Sequence, residues 1–404
     1  MAVGLVPPEN LLPVEGVRLG TVAAGIRKPD RRDLVILELA EGTGVSAVFT
    51  RNRFCAAPVQ IAREHLETGA PRYLLINTGN ANAGTGARGL DDARACCNAL
   101  ANAAGCEPRS VLPFSTGVIG EPLPVDPIIA GIRTALKSLR TDGWVEAANG
   151  ILTTDTVAKG VSRRIQLAGG TVTITGIAKG AGMIRPDMAT MLAFVATDAA
   201  LDPQLRERAL REAVGLSFNR ITVDGDTSTN DACVLAASGA SGVSLTSEDA
   251  DYRLFLNALC EVCTTLAQAV VRDGEGATRF ITIAVEGGGT AAESEAVAYA
   301  IAHSPLVKTA FFAGDPNWGR ILAAVGRAGI DDLDVNRVRI WLDDLCLAEN
   351  GGRAEGYTEA AAAHLMAREE VTIRVALGRG QAVATVWTCD FSYDYVRINA
   401  EYRT

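Results

Sequence analysis

Short apolar runs, many alternating with polar residues, are separated along this chain by clusters of glycine and small polar residues. Longer apolar stretches at helical spacing fall between them. Residues 17–60 read as strands with the charged turn 27–32 between them, among them 34–39 and 45–50; 73–77 reads as the next strand, opening onto the amide- and glycine-rich loop 78–86. Residues 110–120 form a strand running into a glycine loop, and 171–177 alternate as a strand with Val172 and Ile174 on one face. The apolar run 191–195 reads as a buried strand, and 280–285, 337–342, 371–377 and 382–388 as four more. The helix patterns begin with an alanine-rich segment that has Asp91 and Asp92 in its first turn and Gly105 as its stop. Asp126-Pro127 and Asp202-Pro203 cap helices reaching about 139 and 214. Helices are also expected at 252–271, 291–303 and 358–367, with Pro305 interrupting before a segment at 306–312. Strands and helices alternate without a repeated βαβ unit or a dinucleotide fingerprint, which points to a layered α/β architecture with mixed sheets.

Composition narrows the function classes. The chain has 404 residues, 48% hydrophobic and 21% charged, a globular balance large enough to bury a sizeable core. Its net charge is −9 and no lysine-arginine run is dense enough for a phosphate backbone, so no nucleic-acid partner is expected. No run approaches 18 uninterrupted apolar residues and the first residues lack a signal-peptide pattern, so no membrane span and a cytoplasmic location are expected.

Nine cysteines are an odd number, scattered, and argue against a secreted disulfide framework. Cys260-x-x-Cys263 lies inside the helical stripe Leu256, Leu259, Val262, Cys263, Leu266, Val270 with no second pair at ligand spacing; it reads as small core residues rather than a metal site, as do Cys96 and Cys97. Only three histidines occur, His65, His303 and His364, none near a serine elbow or an HExxH pattern. That poverty favours a nucleophile carrying its own base.

One stretch suits such a nucleophile: Lys179-Gly-Ala-Gly-Met-Ile-Arg-Pro-Asp-Met-Ala-Thr-Met-Leu-Ala-Phe194. A strand runs into a loop with Gly180, Gly182 and Pro186, then Ala189-Thr190 leads into the apolar run. The Thr190 hydroxyl could attack the preceding carbonyl, and hydrolysis of the ester would free Thr190 as a new N-terminus. Its α-amine, with an ordinary pKa of about 7.7–8.0, then serves as base for its own hydroxyl. On residues alone, a glycine-rich connector before a core strand fits as well. Other loops are equally open. Thr116 and Gly117 could aim a hydroxyl and an N–H at one point, as an oxyanion needs, or form a plain turn. The cluster Thr153-Thr-Asp-Thr156 fits a site or a solvated turn, and 218–231 resembles a calcium loop but lacks the closing Glu, so an ordered polar loop is expected there rather than a metal. Glu275, between two glycines at the mouth of a strand, is oddly placed for a surface charge. The 314–320 loop opens a helix but is not a Walker loop and reads as structural.

The string from Lys179 to Leu192 resembles the signature of the ornithine acetyltransferase family, the bifunctional arginine-biosynthesis glutamate N-acetyltransferases, and the resemblance extends over essentially the whole chain. It implies a sandwich superficially like N-terminal nucleophile hydrolases, cleaved at Ala189–Thr190 into intertwined chains 1–189 and 190–404, two of each per assembly. It implies acetyl transfer from N2-acetyl-L-ornithine to L-glutamate through an acetyl-Thr190 ester. It assigns the oxyanion hole to Thr116 and Gly117, and substrate contacts to Thr156, Lys179, Thr190, Glu275, Asn399 and Thr404, where the family also uses serine. No cofactor is implied, although acetyl-CoA is admitted as a second donor, since members with and without that activity share the motif. A self-processing amidase or aminopeptidase, with water as acceptor, and a non-catalytic metabolite-binding protein are the alternatives. The chain's stop a few residues after Asn399 fits functional residues at the tail.

Overall fold

A computed structural model describes residues 2–27, 29–185 and 191–401. They fall into a larger unit, residues 6–219 and 226–270, and a smaller one, residues 1–5, 220–225 and 271–404.

In the larger unit the chain forms β1 (Val17–Val22), β2 (Leu34–Leu39), β3 (Gly44–Phe49), α1 (Ala57–Thr68), β4 (Tyr73–Asn80), α2 (Gly86–Ala104), β5 (Val111–Val118), α3 (Val125–Lys137) and α4 (Trp144–Gly150). It continues with β6 (Lys159–Leu167), β7 (Gly170–Lys179), β8 (Leu192–Thr197), β9 (Ala200–Leu201), α5 (Pro203–Leu216), β10 (Ala232–Ala237), β11 (Ser244–Leu245) and α6 (Ala250–Arg272). Two mixed sheets result, one ordered β1-β2-β4-β5 and the other β3-β10-β8-β7-β6. The β4/β5 and β8/β10 pairs are parallel and the rest antiparallel.

The period of two decides which residues meet. On the first sheet Val35, Leu37, Leu74, Ile76, Leu112 and Phe114 turn toward the second sheet and share a core with Val45, Ile177, Phe194 and Val234. Phe114 and Phe194 meet edge to face, centroids 5.1 Å apart. The intervening residues Leu34, Ile36, Tyr73, Leu75 and Val111 face α2 and α3 through Cys96, Cys97, Leu100, Ile128 and Ile132. Covered on both faces, β2 is apolar at five of its six positions instead of alternating. On the outer face of the second sheet, Gly176 lies so close to Val262 and Leu266 of α6 that a Cβ would come within about 3.2 Å of each side chain. By length and composition α6 could cross a membrane, yet Phe255, Leu259, Val262, Cys263, Leu266 and Val270 are buried. It is a core helix of this unit.

The smaller unit has β12 (Phe280–Gly288), α7 (Ala291–Ala302), α8 (Pro305–Ala313), α9 (Trp318–Gly326), β13 (Arg339–Leu342), β14 (Leu345–Glu349), β15 (Gly352–Arg353), α10 (Glu359–Met366), β16 (Glu370–Ala376), β17 (Ala382–Cys389) and α11 (Tyr393–Ala400). Its sheet runs β15-β14-β13-β16-β12-β17, with β12/β16 parallel. Ile281, Ile283, Ile340, Ile373 and Val386 on one face pack with Val297, Ile301, Phe311, Ile321 and Val325 of α7 to α9.

Several sequence expectations shift. α2 starts at Gly86, so Asp91 and Asp92 lie in its second turn. The residue capping α3 is Pro124, and Asp126 sits inside the first turn. Asp202 does cap α5, accepting from the Gln204 and Leu205 amides, and Gly105 closes α2 at φ 71°.

Candidate active site

In the larger unit, three segments far apart in sequence converge. The first is the end of β5. At Gly117 the partner strand β4 is bulged: Asn80 pairs with both Thr116 and Val118. Gly117 adopts φ +137°, and a Cβ there would lie 2.3 Å from the Gly79 carbonyl carbon, so only glycine fits. The neighbouring Thr116 is buried. Asn230, just before β10, fastens this corner by donating to the carbonyls of Ala81 (2.6 Å) and Ser115 (2.9 Å).

The second segment is the end of β7. Lys179, its last residue, donates from Nζ to Thr116 Oγ1 at 3.2 Å. The third is the turn before β6. The Asp155 side chain is fully buried, with Lys159 Nζ on Oδ1 at 2.7 Å and Lys179 Nζ 3.9 Å from Oδ2. It also accepts from the Gly180 amide (2.6 Å) and the Thr153 amide (3.0 Å). Burial alone would raise this carboxyl, but Lys159 and Lys179 outweigh it and hold it well below the usual carboxylate range.

Asp231 lies in the opposite situation. The Ala232 amide, next in the chain, donates to Met191 O at 2.9 Å, so Asp231 immediately precedes β10 where that strand meets the residue after Thr190 in sequence. It is buried, and its Oδ2 has no partner among the described residues. Burial pushes its carboxyl well above the usual value, with Ser228 and Lys179 only partly opposing.

In the smaller unit, Gly276 adopts φ +70° and a Cβ there would come within 2.4 Å of the Tyr395 amide, so the Gly-Glu-Gly turn packs directly on α11. Ser392 Oγ donates to Gly276 O at 2.6 Å. Across this contact Asn399 Nδ2 donates to Glu275 Oε2 at 2.9 Å, joining two expected site residues 124 positions apart. Glu275 is buried.

Thus Thr116, Gly117 and Lys179 come together in one unit, and Glu275 and Asn399 in the other. Thr156 is exposed, one residue from the buried Asp155 side chain. Ala189, Thr190 and Thr404 lie outside the described residues. Lys159 was not singled out from sequence, and Asp155, Asn230 and Asp231 were read only as members of the 153–156 cluster and the 218–231 loop, without roles of their own. The spacing Asp155/Lys159, four residues apart between an apolar run and a strand, was the available signal. Every cysteine thiol with a resolved shift is pushed upward by burial, Cys96 and Cys233 to about 12, which leaves none activated as a nucleophile.

Two mixed sheets packed face to face between helices, with a buried hydroxyl and lysine at one strand end, define a layered α/β protein with a polar site at its sheet ends. The chain belongs to the ArgJ family, whose model matches residues 18–404. It is accordingly an acyltransferase of arginine biosynthesis. Among solved structures it is similar to the arginine biosynthesis bifunctional protein argJ of Bacillus halodurans, at 41% identity over 51% of this chain and 97% of that one, TM-score 0.49. It is also similar to the ornithine acetyltransferase of Mycobacterium tuberculosis complexed with ornithine, at 34% identity over 44% of this chain and 94% of that one, TM-score 0.39. A more distant likeness, 13% identical over 70% of this chain and 91% of that one with TM-score 0.40, is to an L-aminopeptidase D-Ala-esterase/amidase of Ochrobactrum anthropi described as a variant of the Ntn hydrolase fold.

Proposed function

We propose that the chain transfers the acetyl group of N2-acetyl-L-ornithine to L-glutamate, by a ping-pong route through an acetyl ester on Thr190. The observation that carries this reading is the hydrogen bond from Lys179 Nζ to Thr116 Oγ1. It joins the lysine that opens the Lys-Gly-x-Gly-Met motif to the threonine of the Ser-Thr-Gly strand end, from 63 residues away.

The chemistry then follows from residue types. Self-cleavage between Ala189 and Thr190 exposes the Thr190 amine, which takes the proton as Oγ attacks the acetyl carbonyl. Thr116 Oγ1 and the Gly117 amide hold the oxyanion, and ornithine leaves. Glutamate attacks the ester in the second half-reaction, regenerating the threonine. Lys179 binds the α-carboxylate common to both amino acids, Glu275 with Asn399 takes the ornithine side-chain cation, and Thr156 and Thr404 complete the substrate contacts. The free Thr190 hydroxyl would also take acetyl from acetyl-CoA, the CoA thiol leaving, to form the same ester. Chains 1–189 and 190–404 stay associated, two of each, in the cytoplasm.

Acceptor dependence tests the reading. With acetylornithine alone, ornithine release should stop after one equivalent, and added glutamate should restore turnover as N-acetylglutamate. Acetate released at full rate without glutamate would make the chain an amidase.

A further inference from the structure

Two lysines and one aspartate share a buried space beside the Thr116 strand end, and only one of the lysines has a part in the reaction described above. Asp155 Oδ1 sits 2.7 Å from Lys159 Nζ, whereas its Oδ2 is 3.9 Å from Lys179 Nζ. The side chains of Asp155 and Lys159 are completely buried, and that of Lys179 is 11% exposed. Lys159 is anchored a second time by donating to Val157 O at 3.2 Å. Lys179 reaches past Asp155 to Thr116.

A fully buried carboxylate takes the closest cation it can reach, because removing charge from water is costly unless it is paired. Were Lys159 not in place, the ionised Asp155 would draw in Lys179, whose Nζ is already within 4 Å. Contact with Asp155 would pull that Nζ from Thr116 and from whatever carboxylate it serves. We propose that Lys159 is a positioning residue: by satisfying Asp155 from the far side, it keeps Lys179 directed at the substrate carboxylate. This rests on the reading of Lys179 as the carboxylate-binding cation. Asp155 has a second task in the same arrangement, since its Oδ1 accepts from Gly180 N where the chain leaves β7 toward Ala189–Thr190. Lys159 thus acts on substrate affinity through another lysine, although no contact of its own with substrate is required.

The test compares Lys159→Met, Asp155→Asn/Lys159→Met and Lys179→Ala in the full chain. Acetylation by acetylornithine and discharge by glutamate are followed separately, with thermal unfolding and gel analysis of cleavage alongside. Lys159→Met should raise KM for both amino acids at least about tenfold, equivalent to about 1.4 kcal/mol, with kcat within about threefold of wild type. The double variant, in which no buried carboxylate competes for Lys179, should bring both KM values back to within about threefold of wild type. Should Lys159→Met fail to fold, Lys159→Gln with and without Asp155→Asn makes the same comparison. Unchanged KM values in Lys159→Met, or a double variant no better than the single, overturn the inference while Lys179→Ala still raises both. If Lys179→Ala itself leaves both KM values unchanged, the carboxylate role of Lys179 falls and the inference with it.

Discussion

At Gly117 the backbone has no room for a methyl group beside Gly79, which fixes the strand end that carries Thr116 and the proposed oxyanion donors. A well-placed oxyanion donor is worth about 10²–10³ in rate. Thr116→Ala should therefore lower kcat by that order while acetylornithine binding, measured by calorimetry, changes little. A variant within about twofold of wild type would place the hole elsewhere. Asp231 gives a prediction about stability. Its carboxyl titrates higher in the folded chain than the roughly 3.9 of an unfolded aspartate, because burial disfavours the charge. The folded state therefore keeps a proton that the unfolded state has released. This stabilising effect is complete below about pH 4 and is lost as pH rises toward the folded value. Asp231→Asn removes the linkage, so its Tm should exceed that of wild type near pH 7 and the gain should shrink toward pH 4. A gain independent of pH would contradict the assignment of a neutral buried acid.

Elements position these residues, and the sequence was informative where periodicity was strong. β2 has the expected bounds, since six apolar-rich residues between a charged turn and glycine leave little choice. α1 corrects the strand reading of the stretch up to residue 60: its start, Cys55-Ala-Ala-Pro-Val-Gln, has no side-chain cap and reads as small apolar residues. α2 starts earlier than expected since Gly86 and Gly89 look like loop residues. Gly89 is in the helix, packed against Thr85 so tightly that a Cβ would overlap its hydroxyl. α11 has no fully buried residue, and hence no apolar stripe to read. Its place is fixed by contact with the 274–276 turn, a long-range event that spacing does not encode. That contact makes a prediction: Gly276→Ala forces a Cβ onto the Tyr395 amide at a positive φ. Strain of this kind costs about 1–3 kcal/mol. It should destabilise the chain and weaken the Glu275–Asn399 pairing, read as a lower denaturation midpoint with a raised KM for acetylornithine. Full retention of both would mean that the turn tolerates displacement of α11.

For the whole molecule, the position of the junction matters more than the division into units. In sequence Ala189–Thr190 lies between β7 and β8, both strands of the larger unit. Those strands pair directly, Lys179 opposite Leu192, and β8 pairs in turn with β10. A cut at residue 189 would leave β3, β6 and β7 on one chain and β8 and β10 on the other, in one continuous sheet. The apolar core shared by Phe114 and Phe194 would likewise draw on both chains. Cleavage and continued association are therefore compatible, and β8, the strand that follows Thr190 in sequence, is central in the sheet. The expectation of a junction at Thr190 came from the motif alone, whereas the convergence of Thr116, Asp155, Lys179 and Asp231 required the fold. The central claim is that Thr190 becomes an N-terminal nucleophile carrying the acetyl group. Mass spectrometry of the denatured protein, before and after addition of acetylornithine without glutamate, tests it most directly. The account predicts two chains, 1–189 and 190–404, with one acetyl group gained by the second on its first residue, and a single unacetylated chain for Thr190→Ala. An intact wild-type chain, or an acetyl group on any residue other than Thr190, would contradict it.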